Sequence, residues 1–222
     1  MTASNFPKPP MDAKRNVQPK RRTRLPRHAG GLLPALVCAA LPGCASTAQV
    51  PTFDQERAST GPQVTVTRQV VIPGTPDSVF RFIAAEDVLP KLLTGYGPLP
   101  AVVATSGNTG PWDRPGSARV VHLADGTAAR EQITDHDEPR YFAYRVWDFG
   151  NPVLRRLVDQ ARGQWTFAAT PGGTRVTWTY AFTAKSRWTA VPLSAIAHVL
   201  WRGYMEVCLE NAVRIMTADA AT

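Results

Sequence analysis

Residues 174–184 read TRVTWTYAFTA, and the segment from about Pro192 to Ala218 that follows them changes its apolar spacing from two to three and four. Val176, Trp178, Tyr180 and Phe182 fall at every second position, which places them on one face of a strand. Leu193, Ile196, Ala197, Leu200, Tyr204, Val207, Cys208, Ala212, Ile215 and Met216 then recur at helical spacing. An amphipathic helix of that length spans about 40 Å at 1.5 Å per residue. Arg202, Glu206, Glu210 and Arg214 recur every four residues on another face. They offer ion pairs and argue against a membrane span.

Working outward, the Pro171-Gly172-Gly173 turn is preceded by five further strand-like segments. These are LPAVVATS (99–106), SARVVHL (117–123), TAAREQIT (127–134), RYFAYRVWDF (140–149) and GQWTFAAT (163–170). Short connections at Ala124–Gly126 (ADG) and Asp135–Pro139 (DHDEP) imply an antiparallel meander. Before them, QVTVTRQVVIP (63–73) alternates β-branched residues and reads as a first strand. Gly74-Thr75-Pro76-Asp77 starts a helix, with Thr75 as N-cap and Pro76 at the first helical position. A second short helix carries Val88, Leu89, Leu92 and Leu93 and stops at Gly95-Tyr96-Gly97-Pro98. The expected class is α+β: a curved antiparallel sheet of about seven strands, two short helices after the first strand, and one long C-terminal helix to cover the apolar face.

The 222 residues carry a formal charge of +8, which at first suggests a nucleic-acid partner. The distribution removes that reading. Met1–His28 holds eight basic residues against Asp12, Ala29–Gly43 holds no charge, and from Cys44 onward 17 basic residues meet 16 acids. A basic run, an apolar run too short to span a bilayer, and small residues form the order of a secretory signal. Arg21-Arg22 also invites a twin-arginine reading, with Arg24 standing where that signal prefers an apolar residue, and Met11 is an alternative start. If the leader is removed and Cys44 acylated, only Cys208 of the three cysteines remains, so the domain holds no internal disulfide. The expected organisation is a leader over 1–43, a Ser/Thr/Pro-rich tether over 44–62 and one domain over 63–218.

Three blocks carry a family resemblance: VVIPGTPDSVFRFIA (70–84), the stretch from Trp112 to Val146 containing PGSARVVHLADGTAAREQITDHDEPRYFAYRV, and GGTRVTWTYAF with the helix after it. In their order the chain resembles the START-like superfamily (SRPBCC), which includes polyketide cyclases, dehydrases and lipid-transport proteins. The resemblance covers nearly everything from Gln63 to Met216. It implies a helix-grip fold, with a cavity between sheet and helix that takes up apolar ligands, and no cofactor. Separately, Leu41-Pro42-Gly43-Cys44 resembles the bacterial lipobox, which implies that Cys44 is lipidated. An ordinary signal peptide with Cys44 as an incidental thiol is the other reading.

If Glu131 points into the cavity, as the resemblance implies, Ile133 does too by alternation. Counting across DHDEP makes Arg145 the expected partner of Glu131 and puts Trp147 on the same inner face. Phe142, Tyr144 and Val146 form the rival inner face, in which case Glu131 and Arg145 are a solvated cross-strand pair. Val120 and His122 share a parity that the family arrangement puts near the cavity mouth. Trp165, Trp178 and Tyr180 either line the cavity or fill a solid core. Tyr204 and Asn211 lie seven apart on one helix face, where a buried Asn needs partners that a ligand or water can supply. NPVLRRLVDQ (151–160) reads as a short helix, and with the ADG turn it occupies the position of the family's closing loops. With no His or Cys pair at ligand spacing, no metal site is expected.

The first functional reading is an envelope-anchored carrier or sensor of a small hydrophobic or amphipathic, lipid-like or polyketide-like molecule. It has a membrane contact through the N-terminal lipid and no nucleic-acid partner; the sequence specifies no protein partner. An aromatase/cyclase-type enzyme, with Glu131 or His122 moving protons, is the second reading. An interaction module with a solid core is the third.

Overall fold

β1 (Gln63–Ile72) forms one edge of a sheet, and the chain crosses through α1 (Pro76–Ile83) and α2 (Leu89–Leu92) to the opposite edge, β2 (Val102–Ser106). It then returns strand by strand through β3 (Ala118–Leu123), β4 (Ala128–Asp137) and β5 (Tyr141–Trp147). After α3 (Pro152–Leu157) come β6 (Val158–Thr170) and β7 (Gly173–Ala184), which pairs along the whole of β1. The order is β1-β7-β6-β5-β4-β3-β2, antiparallel throughout. α4 (Arg187–Ile196), a π-helical turn (Ala197–Trp201) and α5 (Arg202–Asp219) follow without a break and pack against the sheet. This is the α+β arrangement that the sequence pattern predicts, and it is the helix-grip fold that the family resemblance implies.

The computed structural model describes residues 61–219, which belong to the second of two units, Ala48–Thr222. The expected leader, Cys44 and the tether up to residue 60 lie outside the described residues. No helix among the described residues is long and apolar enough to cross a membrane.

The local signals act as expected at α1: the Thr75 hydroxyl accepts from the Ser78 amide at 3.3 Å, Pro76 opens the first turn, and Val79, Phe80 and Ile83 are buried. Three boundaries differ from the sequence reading. The long helix begins at Arg187 rather than near Pro192, because Ser186 and Thr189 cap each other reciprocally at 3.2 and 2.9 Å. Pro192 sits inside the helix, where it has no N–H to give. α3 ends at Leu157, and buried Val158 opens β6 five residues earlier than Gly163. β4 runs on to Asp137, so the turn beyond it is Glu138-Pro139-Arg140. His136, expected in a turn, is therefore a strand residue whose ring meets Phe80 edge-on at 5.2 Å.

The inner face of the sheet is aromatic. Trp165 and Trp178 stack at 4.5 Å and 9°, Phe80 meets Phe167 at 5.0 Å, and Tyr180 packs between Phe182 and Trp201 at 4.9 and 4.6 Å. Burying each such ring contributes about 1.5–3 kcal/mol.

Candidate functional site

Between the inner face of the sheet and the long helix lies a cavity of about 130 Å³. Most of its wall is apolar. Leu89 and Leu92 come from α2 and Leu93 from its C-cap, Leu99 and Pro100 from the loop before β2, and Trp201, Tyr204 and Cys208 from the long C-terminal helical segment. The sheet contributes Phe142, Tyr144 and Val146 from β5 and Trp165, Trp178 and Tyr180 from β6 and β7. The solid core expected of an interaction module is therefore absent from this part of the domain.

One charged pair interrupts the apolar wall. Glu131 on β4 faces the cavity, and opposite it on β3 stands Arg119. Arg119 Nε donates to Glu131 Oε2 at 2.8 Å, and Nη2 lies 2.8 Å from the same oxygen. Arg119 Nη1 donates to the Glu86 carbonyl at 2.8 Å, and its guanidinium carbon sits 3.6 Å from the centre of the Trp112 ring. All three nitrogens and one face of the cation are thus held. Glu131 Oε1 receives no hydrogen bond from a described residue.

The partner of Glu131 is therefore Arg119 and not Arg145. Extending β4 to Asp137 moves the hairpin register, and a bulge between Ile133 and Asp135 takes back one residue, so that Glu131 opposes Val146 and Arg145 opposes Gln132. A one-residue slip reverses every side chain on a strand. Arg145 accordingly points outward, donating to Gln132 Oε1 at 2.8 Å and lying 4.5 Å over the Trp147 ring, which shares that outer face. The inner face belongs to Phe142, Tyr144 and Val146.

Val120 and His122 are also turned away from the cavity, since Arg119, Val121 and Leu123 take the inward positions of β3. His122 Nε2 instead shares a 2.7 Å hydrogen bond with the Ser106 hydroxyl. Ile133 faces inward and is buried, but it belongs to the packed core and not to the cavity wall. Asn211 lies outside the wall as well: its amide donates to the Leu92 carbonyl and to Thr94 Oγ1, both at 3.0 Å. Its partners are the end of α2 and the loop after it, and no ligand is needed to satisfy them. Of the sequence-selected residues, Glu131, Trp165, Trp178, Tyr180 and Tyr204 line the cavity together.

Three residues not singled out from the sequence shape the site. Arg119 is the first. Trp201 is the second: the π-helical turn inserts an extra residue into the helix period and brings its ring against Tyr180 and Tyr204, at 4.6 and 5.1 Å. Gly163 is the third. It is register partner to Tyr144 on one side and Tyr180 on the other, and a Cβ there would overlap the Tyr144 ring. The missing side chain is what lets Tyr144 lie across β6, with its hydroxyl accepting from Trp178 Nε1 at 3.0 Å.

Burial governs the electrostatics. It raises the Glu131 carboxyl above its ordinary pKa, against the pull of Arg119. Tyr144 and Tyr180 are pushed well up by burial and further by neighbouring groups, Glu131 among them. Burial holds up Tyr204 and the Cys208 thiol as well. The phenols are therefore neutral hydrogen-bond donors at neutral pH, and Cys208 is a protonated thiol and not an activated nucleophile. The wall can bury an apolar body and offer one acidic group and phenolic donors to a polar end.

The loop over the cavity is pinned to the helix. Tyr96 and Leu99 exchange backbone hydrogen bonds at 2.9 Å around Gly97-Pro98, and Tyr204 donates its hydroxyl to the Pro100 carbonyl at 3.1 Å. Gly203 lacks a Cβ where the Tyr96 ring rests.

Comparison with solved structures gives the same architecture at low identity. Major latex-like protein 151 of Panax ginseng is 14% identical with a TM-score of 0.52, over 70% of this chain and 97% of that one. The di-domain ARO/CYC StfQ of the steffimycin biosynthetic pathway is 14% identical with a TM-score of 0.52, over 72% of this chain and 53% of that one. A Thalictrum flavum norcoclaurine synthase point mutant, in complex with a transition-state analogue, is 9% identical with a TM-score of 0.52, over 73% of this chain and 99% of that one. Such identities speak for a shared fold and no further. No curated protein matches the sequence. The match that reaches beyond the fold is at family level: residues 63–217, which include every strand of the sheet and nearly all of the helix closing the cavity, fit the sequence pattern of one family. On that match the chain belongs to the polyketide cyclase/dehydrase and lipid transport family.

Proposed function

We propose that the protein is an envelope-anchored carrier or sensor that holds a small hydrophobic or amphipathic molecule in this cavity, its polar end directed at Glu131. The observation that carries the reading is the single buried Arg119–Glu131 pair set in an otherwise apolar wall. A cavity of about 130 Å³ is close to the roughly 150 Å³ of an engineered apolar cavity that binds benzene. One ring or a short acyl segment is the size class it suits. Export and anchoring are supported by the order of charge, apolar run and Cys44 in residues 1–44.

Native mass spectrometry with solvent extraction, on the chain purified from cells, tests the binding reading. A reproducible co-purified apolar or amphipathic compound, depleted in an E131Q variant, is expected. An empty protein that also takes up no apolar fluorescent probe removes it. Metabolic labelling with a fatty acid, lost in C44S, tests the anchor separately.

One observation favours an enzyme of the aromatase/cyclase kind: the Glu131 carboxyl is raised by burial and stands within electrostatic reach of the Tyr144 and Tyr180 phenols. A proton acceptor and donors then share one cavity. Turnover of a poly-β-ketone that disappears in E131Q while binding persists distinguishes this reading from a carrier.

A further inference from the structure

We propose that α3 and the exposed side of α4 form a docking surface for an anionic phospholipid bilayer. Trp188 is 75% exposed, Val191 72% and Val153 52%, and with Val199 (66%) on the π-helical turn that continues α4 these are four of the seven large apolar residues left exposed in the described domain. The concentration decides the matter, because single exposed apolar residues are ordinary and a cluster is not. Trp188 and Val191 lie three apart on α4, while Leu193 on its other side and Ala197 at the start of the π-helical turn are buried. Val153 lies on α3, which packs against α4, and Lys185 ties the two by donating to the Arg155 carbonyl at 2.6 Å.

Charge identifies the partner. Residues 151–157 and 185–202 contain Arg155, Arg156, Lys185, Arg187 and Arg202 and no acid. Arg202 is paired to Glu206, but none of the other four meets a carboxylate among the described residues. Elsewhere most cations are matched, among them Arg68 with Glu206, Arg81 with Glu138, Lys91 with Asp87 and Arg130 with Asp148, while Arg145, Arg175 and Arg214 bond to the neutral side chains of Gln132, Thr170 and Asn211. Four cations without a carboxylate partner among the described residues, Arg155, Arg156, Lys185 and Arg187, thus fall on or beside the two helices that carry Val153 and Trp188. An indole and branched aliphatic side chains among basic residues suit the headgroup boundary of an anionic membrane, where the rings enter the interface and the cations meet phosphate.

Two further placements agree. Leu154, next to Val153 on α3, lines the cavity, so the surface adjoins the cavity wall. The chain enters the domain where Pro62 accepts from the Ala184 amide at 2.8 Å, four residues before Trp188. An N-terminal anchor would therefore reach the domain at this same end. The surface does not depend on that anchor or on the identity of the ligand.

The test uses the full chain and vesicles of phosphatidylglycerol and phosphatidylcholine, with and without brominated acyl chains. The emission difference between the wild type and W188F isolates Trp188, which a binding contribution from the basic N-terminal segment leaves in water. On phosphatidylglycerol vesicles that difference is expected to shift to the blue and be quenched by bromine, and R155E/R156E should weaken partitioning by about tenfold. Because all of these side chains are exposed, unchanged melting temperatures show that the variants fold. An unquenched Trp188 on vesicle-bound protein, no vesicle binding, or partitioning indifferent to the arginines each overturns the proposal. Self-association without vesicles that is lost in W188F and V191S also overturns it, and assigns the patch to a second copy of the chain.

Discussion

Arg119 and Glu131 stand six residues on either side of Asp125 and meet across the β3–β4 hairpin, with both guanidinium contacts at 2.8 Å on Glu131 Oε2. Their side chains are only 2% and 7% exposed, so the attraction must offset the desolvation of two charges. Removing one partner leaves the other buried and uncompensated. Replacing Arg119 by Met is expected to cost about 3–5 kcal/mol, whereas the double change R119M/E131L should lie near the wild type or above it. Urea denaturation of the two variants checks this, and a double variant as unstable as R119M contradicts it.

The raised carboxyl of Glu131 sets a direction of pH dependence. In the folded state this group keeps its proton to higher pH than in the unfolded chain. The unfolded chain therefore binds fewer protons across the interval from its own value near 4.5 up to the folded value. The contribution to stability is fully present below that interval and is lost as pH rises through it. Denaturation midpoints measured from pH 4 to pH 8 should fall more steeply with pH in the wild type than in E131Q. Equal slopes would mean that Arg119 holds the carboxylate ionised throughout.

Gly163 leaves the hollow that Tyr144 occupies. Ala at this position drives a methyl group into that ring, and overpacking of this kind costs about 1–3 kcal/mol. The ring has to leave its 3.0 Å hydrogen bond from Trp178. A lowered melting temperature together with weaker uptake of an apolar probe is the expected result. Normal uptake in G163A would show that Tyr144 does not define the cavity floor.

How much of this was legible depended on counting from turns. The order of strands and helices, the aromatic face of β7 and the cap of α1 follow from spacing and capping residues that act locally, whereas the helix-grip fold is implied by the family resemblance. The Arg119–Glu131 pair was equally within reach: Asp125 is the centre of the ADG turn, its carboxylate accepts from the Thr127 amide at 2.9 Å, and the two residues are equidistant from it. Reading Glu131 across DHDEP failed because that hairpin turns two residues later and carries a bulge, neither of which composition marks. Trp201 was hidden for a different reason. A π-helical turn shifts the helix period by a residue, and only packing against the sheet selects it.

The outer-face positions give a negative control for the cavity. Arg145 pairs with Gln132, and His122 with Ser106, away from the lining. R145A and H122A should leave uptake of an apolar probe unchanged within error. A Y180W change, which enlarges a lining residue, should reduce uptake severalfold with loss of free volume. Sensitivity to R145A would return Arg145 to the inner face and reverse the register of β4 against β5.

The pinned loop over the cavity makes a prediction about motion. Asn211 holds the Leu92 carbonyl and Thr94, and Tyr204 holds the Pro100 carbonyl, so three hydrogen bonds from one helix fix residues 92–100 over the ligand space. Replacing Asn211 by Ala removes its bonds to the Leu92 carbonyl and Thr94 Oγ1 and should cost about 1 kcal/mol, since the Leu92 carbonyl keeps the Thr94 amide at 3.2 Å. The larger effect is local. Amide exchange at residues 94–100 should quicken while the β6–β7 hairpin stays protected, because the loop's contacts with the helix are lost and the sheet's are not. If the loop gates entry, N211A also raises the rate at which a probe enters the cavity more than it changes the equilibrium amount bound. Faster exchange with an unchanged entry rate would assign the loop to stability alone and place the ligand's route elsewhere.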